Sequence, residues 1–252
     1  MVSLDLHVVR HRRVPYHIMT GLKGGMPLIL AHGLATNLSM WEHILPSLEK
    51  NFLVIRYDSR GHGASPTLGN DFTLEDLTLD VINLLDHLKI EQADFVGLSM
   101  GGMVGMGLSL NHPDRVRRLV VCDARADAPE AYRDAWDKRI SMVKEGGMTA
   151  ISGQTVERWF TPTFKCNSSA VARMQAMVEG TQLDGYIGSA RALKKLDYKR
   201  RLATMVVPTL YLVGDQDAGA SPEEMRAIHS LTPGSLFHVI VGAGHLSAVE
   251  KP

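Results

Sequence analysis

The sequence predicts an α/β protein: a mostly parallel, doubly wound sheet interrupted by one helical insertion. Three observations carry this. Short apolar runs of strand length alternate with helical stretches from Pro27 to Cys122, and again from Thr204 to Val241. From Ala124 to about Arg201 the alternation stops and helical periodicity alone persists. At the centre of the first block, Ala93 to His112 (ADFVGLSMGGMVGMGLSLNH) reads as buried strand, tight turn and helix, with Ser99 on the turn.

A chain of 252 residues has room for one large α/β domain or two small ones. Residues 1–124 and 202–252 are assigned to the α/β core and 125–201 to a helical cap. Hydrophobic residues make up 45% and charged residues 21%, which implies a packed core rather than disorder. Lys plus Arg and Asp plus Glu number 27 each, so global charge makes no case for nucleic acid or an anionic membrane. No apolar run is long enough to span a bilayer. The N-terminal MVSLDLHVVRHRR lacks the apolar core of a signal peptide, so cytoplasmic residence is expected. Cys122 and Cys166 are then read as two free thiols. Homo-oligomerisation is left open.

Leu4 to Val9 and Pro15 to Met19 alternate loosely around the basic segment Arg10-His11-Arg12-Arg13. They read as two antiparallel edge strands joined by a charged turn, whose charge discourages pairing with other chains. Gly21 to Gly25 is a loop without the Gly-Lys-Ser/Thr ending of a P-loop. Pro27 to Ala31 is a short apolar strand ending in His32-Gly33-Leu34. A helix is expected from near Ser39, with Trp41, Ile44 and Leu45 at helical spacing. Phe52 to Tyr57 is the next buried strand and leads into the glycine-containing segment Asp58 to Ser65. Thr73 caps a helix, with Asp76 completing a variant capping box. Leu74, Leu77, Val81, Leu84, Leu85 and Leu88 form its apolar stripe. The helix after Ser99 carries Met103, Met106 and Leu110 at helical spacing, and Val116 to Cys122 is the following strand. Residues 130–145, 149–160, 168–180 and 184–196 read as helices of the insertion. Thr204 to Val213 resumes the sheet, Glu223 to Leu231 is a helix, and Leu236 to Val241 is the last strand. Right-handed crossovers between such strands make the sheet mostly parallel.

Gly97 and Gly101 stand two residues either side of Ser99, in the pattern Gly-x-Ser-x-Gly. Strand and helix pass close to each other at such a turn, so the flanking positions must lack side chains and the serine is held under backbone strain. The serine also starts a helix, whose free N–H groups favour a developing negative charge. A serine is a poor nucleophile unless a base takes its proton. Of 11 histidines, His245 follows the last strand, in Val241-Gly242-Ala243-Gly244-His245. That places it at the carboxyl edge of the sheet, where ligands bind in open α/β folds, and completes the chain order Ser, acid, His. His32 and His62 lie in loops and read as loop-shaping hydrogen-bonding residues, and His112 as a residue just past a helix end. The acid should come from a loop between Ser99 and His245. Asp217 is favoured as the residue set farther out on its turn, with Asp215 beside it and Asp123 after the preceding strand as alternatives. The oxyanion needs two backbone N–H donors, Met100 just after the serine and Leu34 after His32-Gly33, each contributing on the order of 3 kcal/mol.

HGLATNLSMW (32–41) and YDSRGHGAS (57–65), with the serine turn, resemble stretches of α/β-hydrolase fold enzymes, and the resemblance covers nearly the whole chain. Within that fold the chain is similar to the 3-oxoadipate enol-lactonase branch. The similarity lies in RYDSRGHGAS, VGLSMGGMVG, HPDRVRRLVVCD, the insertion segments ERWFTP and GYIGSARAL, VPTLYLVGDQD and VGAGHLSAVEKP. It implies a triad of Ser99, Asp217 and His245, oxyanion donors at Leu34 and Met100, and no cofactor. The implied reaction is hydrolysis of a small carboxylate-bearing enol-lactone in aromatic catabolism. Ser99 would attack the lactone carbonyl, and water activated by His245 would hydrolyse the acyl-enzyme. The expected partner is thus a small ester or lactone. The resemblance also implies a further helix after Pro252.

The chain departs from that branch at Arg125, where small residues are expected. A surface ion pair is preferred for it over a substrate-carboxylate contact. The cap should set specificity, with Trp136, Met142, Trp159, Met174, Met177 and Tyr186 as candidates. Met174, Met177 and Val178 form one stripe, which reads as core before pocket. Arg191 is either an anion partner or part of a solvated helix face beside Lys194 and Lys195. A general carboxylesterase is the alternative function. Carbon–carbon bond hydrolase, cofactor-free peroxidase and hydrolase-fold ligand sensor stand behind it, because a fold alone does not choose among them.

Overall fold

The apolar runs of the sequence become the strands of one sheet. A computed structural model describes residues 14–67 and 69–252. In chain order the elements are β1 (His17–Gly21), β2 (Met26–Ala31), α1 (Leu45–Leu48), β3 (Phe52–Tyr57), α2 (Leu74–His87), β4 (Ala93–Leu98), α3 (Met100–Asn111) and β5 (Val116–Cys122). Five helices follow: α4 (Glu130–Gly146), α5 (Thr149–Trp159), α6 (Pro162–Lys165), α7 (Ser168–Glu179) and α8 (Leu183–Leu193). The chain then returns to β6 (Thr209–Gly214), α9 (Pro222–Leu231), β7 (Leu236–Ile240) and α10 (Ser247–Glu250). Among the described residues the strands lie in the order β1-β3-β2-β4-β5-β6-β7. β1 is antiparallel to β3 and every other pairing is parallel. The α/β class and the doubly wound, mostly parallel sheet are therefore as expected.

The sheet grows outward in both directions from the β2–β4 pair. Loops that leave adjacent parallel strands toward opposite faces open a crevice at such a reversal. Ala31 is level with Gly97, and Leu98 with Cys122. The loops carrying Gly33, Ser99 and Asp123 therefore emerge side by side at the reversal.

The helix after Ser99 is buried more completely than its stripe suggested. Met100 through Ser109 are all buried, not one face of them. α3 lies on β4 and β5 with α2 packed over it, so every side finds a neighbour, and a helix enclosed in this way has no polar face. The Thr73 cap forms as expected: the Asp76 N–H donates to Thr73 Oγ1 at 3.2 Å and the Thr73 N–H to Asp76 Oδ2 at 2.8 Å. A second capping box, Ser221 with Glu224, starts α9.

Besides the short helices α6 and α10, which the sequence reading did not contain, the structure differs from the expectation at three further places. The helix expected from Ser39 is a 3₁₀ turn at Leu38–Trp41 followed by the one-turn α1. Pro46, which has no N–H to donate, sits in that first turn and cannot lie in a helix interior. The strand expected from Thr204 begins at Thr209, because Lys199–Thr204 form a 3₁₀ turn and Pro208 intervenes. The edge segment at Pro15 to Met19 is β1, displaced to His17–Gly21 and paired with β3. Its expected partner, Leu4 to Val9, and the basic segment lie outside the described residues.

In the α4–α8 segment, α5 packs on α4 and α7, and α8 on α4 and α2. Met174, Met177 and Val178 are buried here as core. Cys122 is buried and Cys166 exposed, both free. No helix among the described residues is long and apolar enough to cross a membrane.

Candidate active site

Ser99 sits between β4 and α3 with φ 54° and ψ −114°, in the sparsely populated region that strained turns occupy. Its N–H donates to the Cys122 carbonyl at 2.8 Å and its carbonyl accepts from Met103 at 3.0 Å, so the turn is fastened on both sides. A methyl group at Gly97 would stand 2.2 Å from the Gly101 carbonyl oxygen, and one at Gly101 would stand 2.2 Å from the Ala31 oxygen. The flanking positions therefore exclude any side chain, as the spacing implied.

The Ser99 hydroxyl lies 3.0 Å from His245 Nε2. On the far side of the ring, Nδ1 lies 3.0 and 2.9 Å from the two oxygens of Asp217, whose side chain is fully buried. A carboxylate facing Nδ1 keeps the proton on that nitrogen, which leaves Nε2 to accept from the serine. Asp217 is held in turn, because Oδ1 accepts the N–H groups of Gly219 at 2.6 Å and Ala220 at 3.1 Å. The His245 N–H donates to the Trp159 carbonyl at 2.8 Å, which ties the histidine loop to the end of α5. Burial opposes an imidazolium at His245, but the Asp217 charge and hydrogen bond, with Asp123 beyond, outweigh it and raise its pKa.

Of the alternative acids, Asp215 accepts from the Gly242 and Ala243 N–H groups at 2.8 and 3.2 Å and shapes the turn before His245. Asp123 is fully buried, with φ 51°. Its Oδ1 accepts the Gly214 N–H at 2.8 Å and its Oδ2 the Ser247 hydroxyl. It is thus bonded to the residues that lead into the acid loop and out of the base loop. Burial, then the nearby Asp217 charge, raise its pKa to about 7.

The loop after β2 is set by two buried neutral imidazoles. His62 Nε2 accepts the Ala35 N–H at 3.1 Å, and His32 Nε2 accepts the Ser59 N–H at 2.9 Å. Burial lowers His32 to about 4 and His62 to about 3, so each ring accepts a backbone proton through Nε2 at neutral pH. This is the loop-shaping part the sequence assigned to them. Leu34 lies on this loop, in the wall of the cavity beside Ser99. Met100 opens α3, where an N–H has no acceptor within the helix.

Ser99 and His245 open on a cavity of about 390 Å³. Trp136 from α4, Trp159 from α5 and Tyr186 from α8 line it, as the sequence reading expected of these side chains. Arg125 also lines it, but as the mostly covered half of an ion pair: Nη1 is 2.5 Å from Glu224, and the guanidinium lies over the Tyr132 ring. Arg191 does not line this cavity; it donates to the Asn70 carbonyl and side chain at 3.1 and 2.6 Å and holds the 70s loop to α8. The expectation of Arg191 as an anion partner is corrected accordingly, since its donors already face an acceptor outside the site. Among the cavity residues that escaped the sequence reading are two arginines, Arg139 and Arg158. The signal was present: Arg139 is three residues after Trp136 on one helix, and that spacing shares a face.

A serine on such a turn, bonded to a histidine backed by a carboxylate at the crevice of a parallel sheet, defines a hydrolase-type site. Residues 26–252 match the family described as alpha/beta hydrolase fold, and the chain belongs to that family of hydrolases. It is 36% identical over 227 residues to 3-oxoadipate enol-lactonase 2 of Acinetobacter baylyi, covering 89% of this chain and 84% of that protein. The enol-lactonase structure from Burkholderia xenovorans superposes with a TM-score of 0.90 at 32% identity, over 93% of this chain and 90% of that one. A thermophilic esterase from Thermogutta terrifontis, in its malate-bound structure, gives 0.88 at 30% identity, over 94% and 88%.

Proposed function

We propose that this protein hydrolyses a small carboxylate-bearing enol-lactone, of the 3-oxoadipate enol-lactone kind, through an acyl-enzyme on Ser99. The observation that carries the reading is the unbroken line from Ser99 Oγ through His245 to the buried Asp217, opening on the cavity. The names of the enol-lactonase relatives support the substrate class. In this mechanism His245 Nε2 takes the Ser99 proton as Oγ adds to the lactone carbonyl. The oxyanion is met by the Met100 and Leu34 N–H groups. Collapse breaks the ring C–O bond, and His245 returns its proton to the departing enol oxygen, which stays tethered to the acyl group and tautomerises to a ketone. A water then gives its proton to His245, its oxygen adds to the acyl carbon, and Ser99 leaves with that proton. Helices α4 to α8 serve as the cap, with Trp136, Trp159 and Tyr186 shaping the pocket.

General carboxylester hydrolysis is the second reading, favoured by the esterase neighbour. Steady-state hydrolysis of the carboxymethyl enol-lactone and short p-nitrophenyl esters, with Ser99→Ala as control, decides between them. A kcat/KM for the lactone far above that for the esters, lost in the folded mutant, supports the lactonase. Good ester turnover with poor lactone turnover replaces it with the esterase, and undiminished activity in Ser99→Ala sinks both.

A further inference from the structure

We propose that Arg139, with the Tyr186 hydroxyl, forms the subsite that binds the substrate's free carboxylate and thereby sets specificity for anionic esters and lactones. This rests on Ser99 being the nucleophile of the same cavity. Four arginines are candidates for such a role, and their surroundings separate them. Arg125 is neutralised by Glu224 and has Asp127 at 3.9 Å. Arg191 is spent on Asn70, outside the cavity. Arg158 lines the cavity but is an exposed residue. Arg139 lines the cavity, is partly buried, and makes no ion pair among the described residues.

Arg139 is nevertheless held in place. Its guanidinium lies over the Trp136 ring, 4.7 Å from the centroid. Trp136 in turn meets Tyr132 and Tyr186 edge-on at 5.8 and 6.3 Å. The aromatic face holds the cation by its quadrupole but offers no hydrogen-bond acceptor for the guanidinium N–H groups. A partly desolvated cation without an acid partner is costly, and a carboxylate with the matching planar fork relieves that cost. Tyr186 supplies the second observation. It is 2% exposed, lines the same cavity, and its hydroxyl has no hydrogen-bond partner among the described residues. A phenol O–H and a guanidinium are both donors to a carboxylate. The Arg139 charge is also felt across the cavity: it opposes the imidazolium at His245 and partly offsets the burial that raises the Tyr186 pKa. The ligand class that follows is a short acyl compound with one carboxylate held apart from the scissile carbonyl.

The test uses two esters of similar size, p-nitrophenyl butyrate and the p-nitrophenyl monoester of succinate, on the full-length protein. Arg139→Gln should lower kcat/KM for the succinate ester about 10- to 100-fold, mainly through KM, the range for losing a charged hydrogen bond. It should leave the neutral ester within about threefold of wild type, and that ester reports on folding and on the Ser99 machinery. Arg139→Lys should recover part of the loss, because it keeps the charge without the fork. Tyr186→Phe should show a smaller loss, greater on the succinate ester than on the neutral one. Calorimetric binding of glutarate to the wild type and to Arg139→Gln reads the subsite without turnover. Binding that is lost in Arg139→Gln supports the subsite even if neither ester is hydrolysed, an outcome that would count against the hydrolase reading alone. Equal losses on both esters, no loss on the succinate ester, or equal glutarate binding by both proteins overturns the proposal.

Discussion

Asp217→Asn is nearly isosteric, and its effect is fixed by who already faces each carboxylate oxygen. Oδ1 accepts the Gly219 and Ala220 N–H groups, so the amide oxygen of asparagine must take that position. The NH₂ group then occupies the Oδ2 position, 2.9 Å from His245 Nδ1. The amide oxygen also lies 3.0 Å from Nδ1, but it already takes the two backbone N–H groups. The nearer NH₂ donor cannot face a second donor, so Nδ1 becomes the acceptor and the ring proton moves to Nε2. Nε2 is 3.0 Å from the Ser99 hydroxyl, and once protonated it has no lone pair to take that proton. The wrong tautomer costs about 10⁴ in kcat, or about 5 kcal/mol in the barrier. The turn keeps its two backbone hydrogen bonds, so the melting temperature should move by only a few degrees. The assay is p-nitrophenyl butyrate hydrolysis alongside a circular dichroism melt. A folded Asp217→Asn within tenfold of wild-type kcat would refute the reasoning. Asp215→Asn is the control: its Oδ1 contacts survive in an amide, so activity should stay within a few-fold.

The pH profile follows from His245, which must be neutral to accept the serine proton. Its pKa is raised in the folded protein, so kcat/KM should rise with pH through a midpoint above 6.5, and a midpoint below 6.5 would contradict the Asp217 pairing. Asp123→Ala removes the acceptor of the Gly214 N–H and the Ser247 hydroxyl, and leaving both buried groups unsatisfied should cost about 1–3 kcal/mol each in urea unfolding. Unchanged stability would show that solvent or a neighbour replaces it. Gly97→Ala places a methyl 2.2 Å from backbone oxygen and should destabilise by about 3 kcal/mol or prevent folding. Gly153→Ala, in α5 with nothing within 4 Å of the new methyl, should instead raise the melting temperature by about 2–4 °C with activity unchanged.

The contrast between those two glycines also marks what a sequence can disclose. The Ser99 turn was legible because its constraint is local: five consecutive residues must pass a strand beneath a helix, and Gly97 and Gly101 record that directly. Likewise Thr73 and Asp76 form a box within one turn of chain. The chain order of Ser99, Asp217 and His245 was legible because each follows a strand, and parallel strands deliver their following loops to one edge. Arginines were not legible in the same way. Arg125, Arg139 and Arg191 all lie in helices α4 to α8 or at their entry, and the spacing of Arg139 from Trp136 on α4 is a local sign too weak to separate them. What separates them is a partner distant in sequence: Glu224 for Arg125, Asn70 for Arg191, and for Arg139 no acid among the described residues.

Asp123 shows why a site of this kind can be read residue by residue yet not as a whole. From sequence it was one of three possible acids. In the structure it touches no His245 nitrogen; it joins Gly214 to Ser247, three residues before Asp217 and two after His245. Its neighbour Cys122 accepts the Ser99 N–H. The end of β5 therefore holds the serine turn with its backbone and both partner loops with one side chain. Distances near 3.0 Å on both sides of an imidazole demand that three separate loops be placed to within a few tenths of an ångström. A buried carboxylate with two fixed donors does that where flexible loops alone would not. Its burial raises its own pKa, so the fastening persists in either protonation state: ionised, it accepts from Ser247, and neutral, it donates to the same hydroxyl while still accepting the Gly214 N–H.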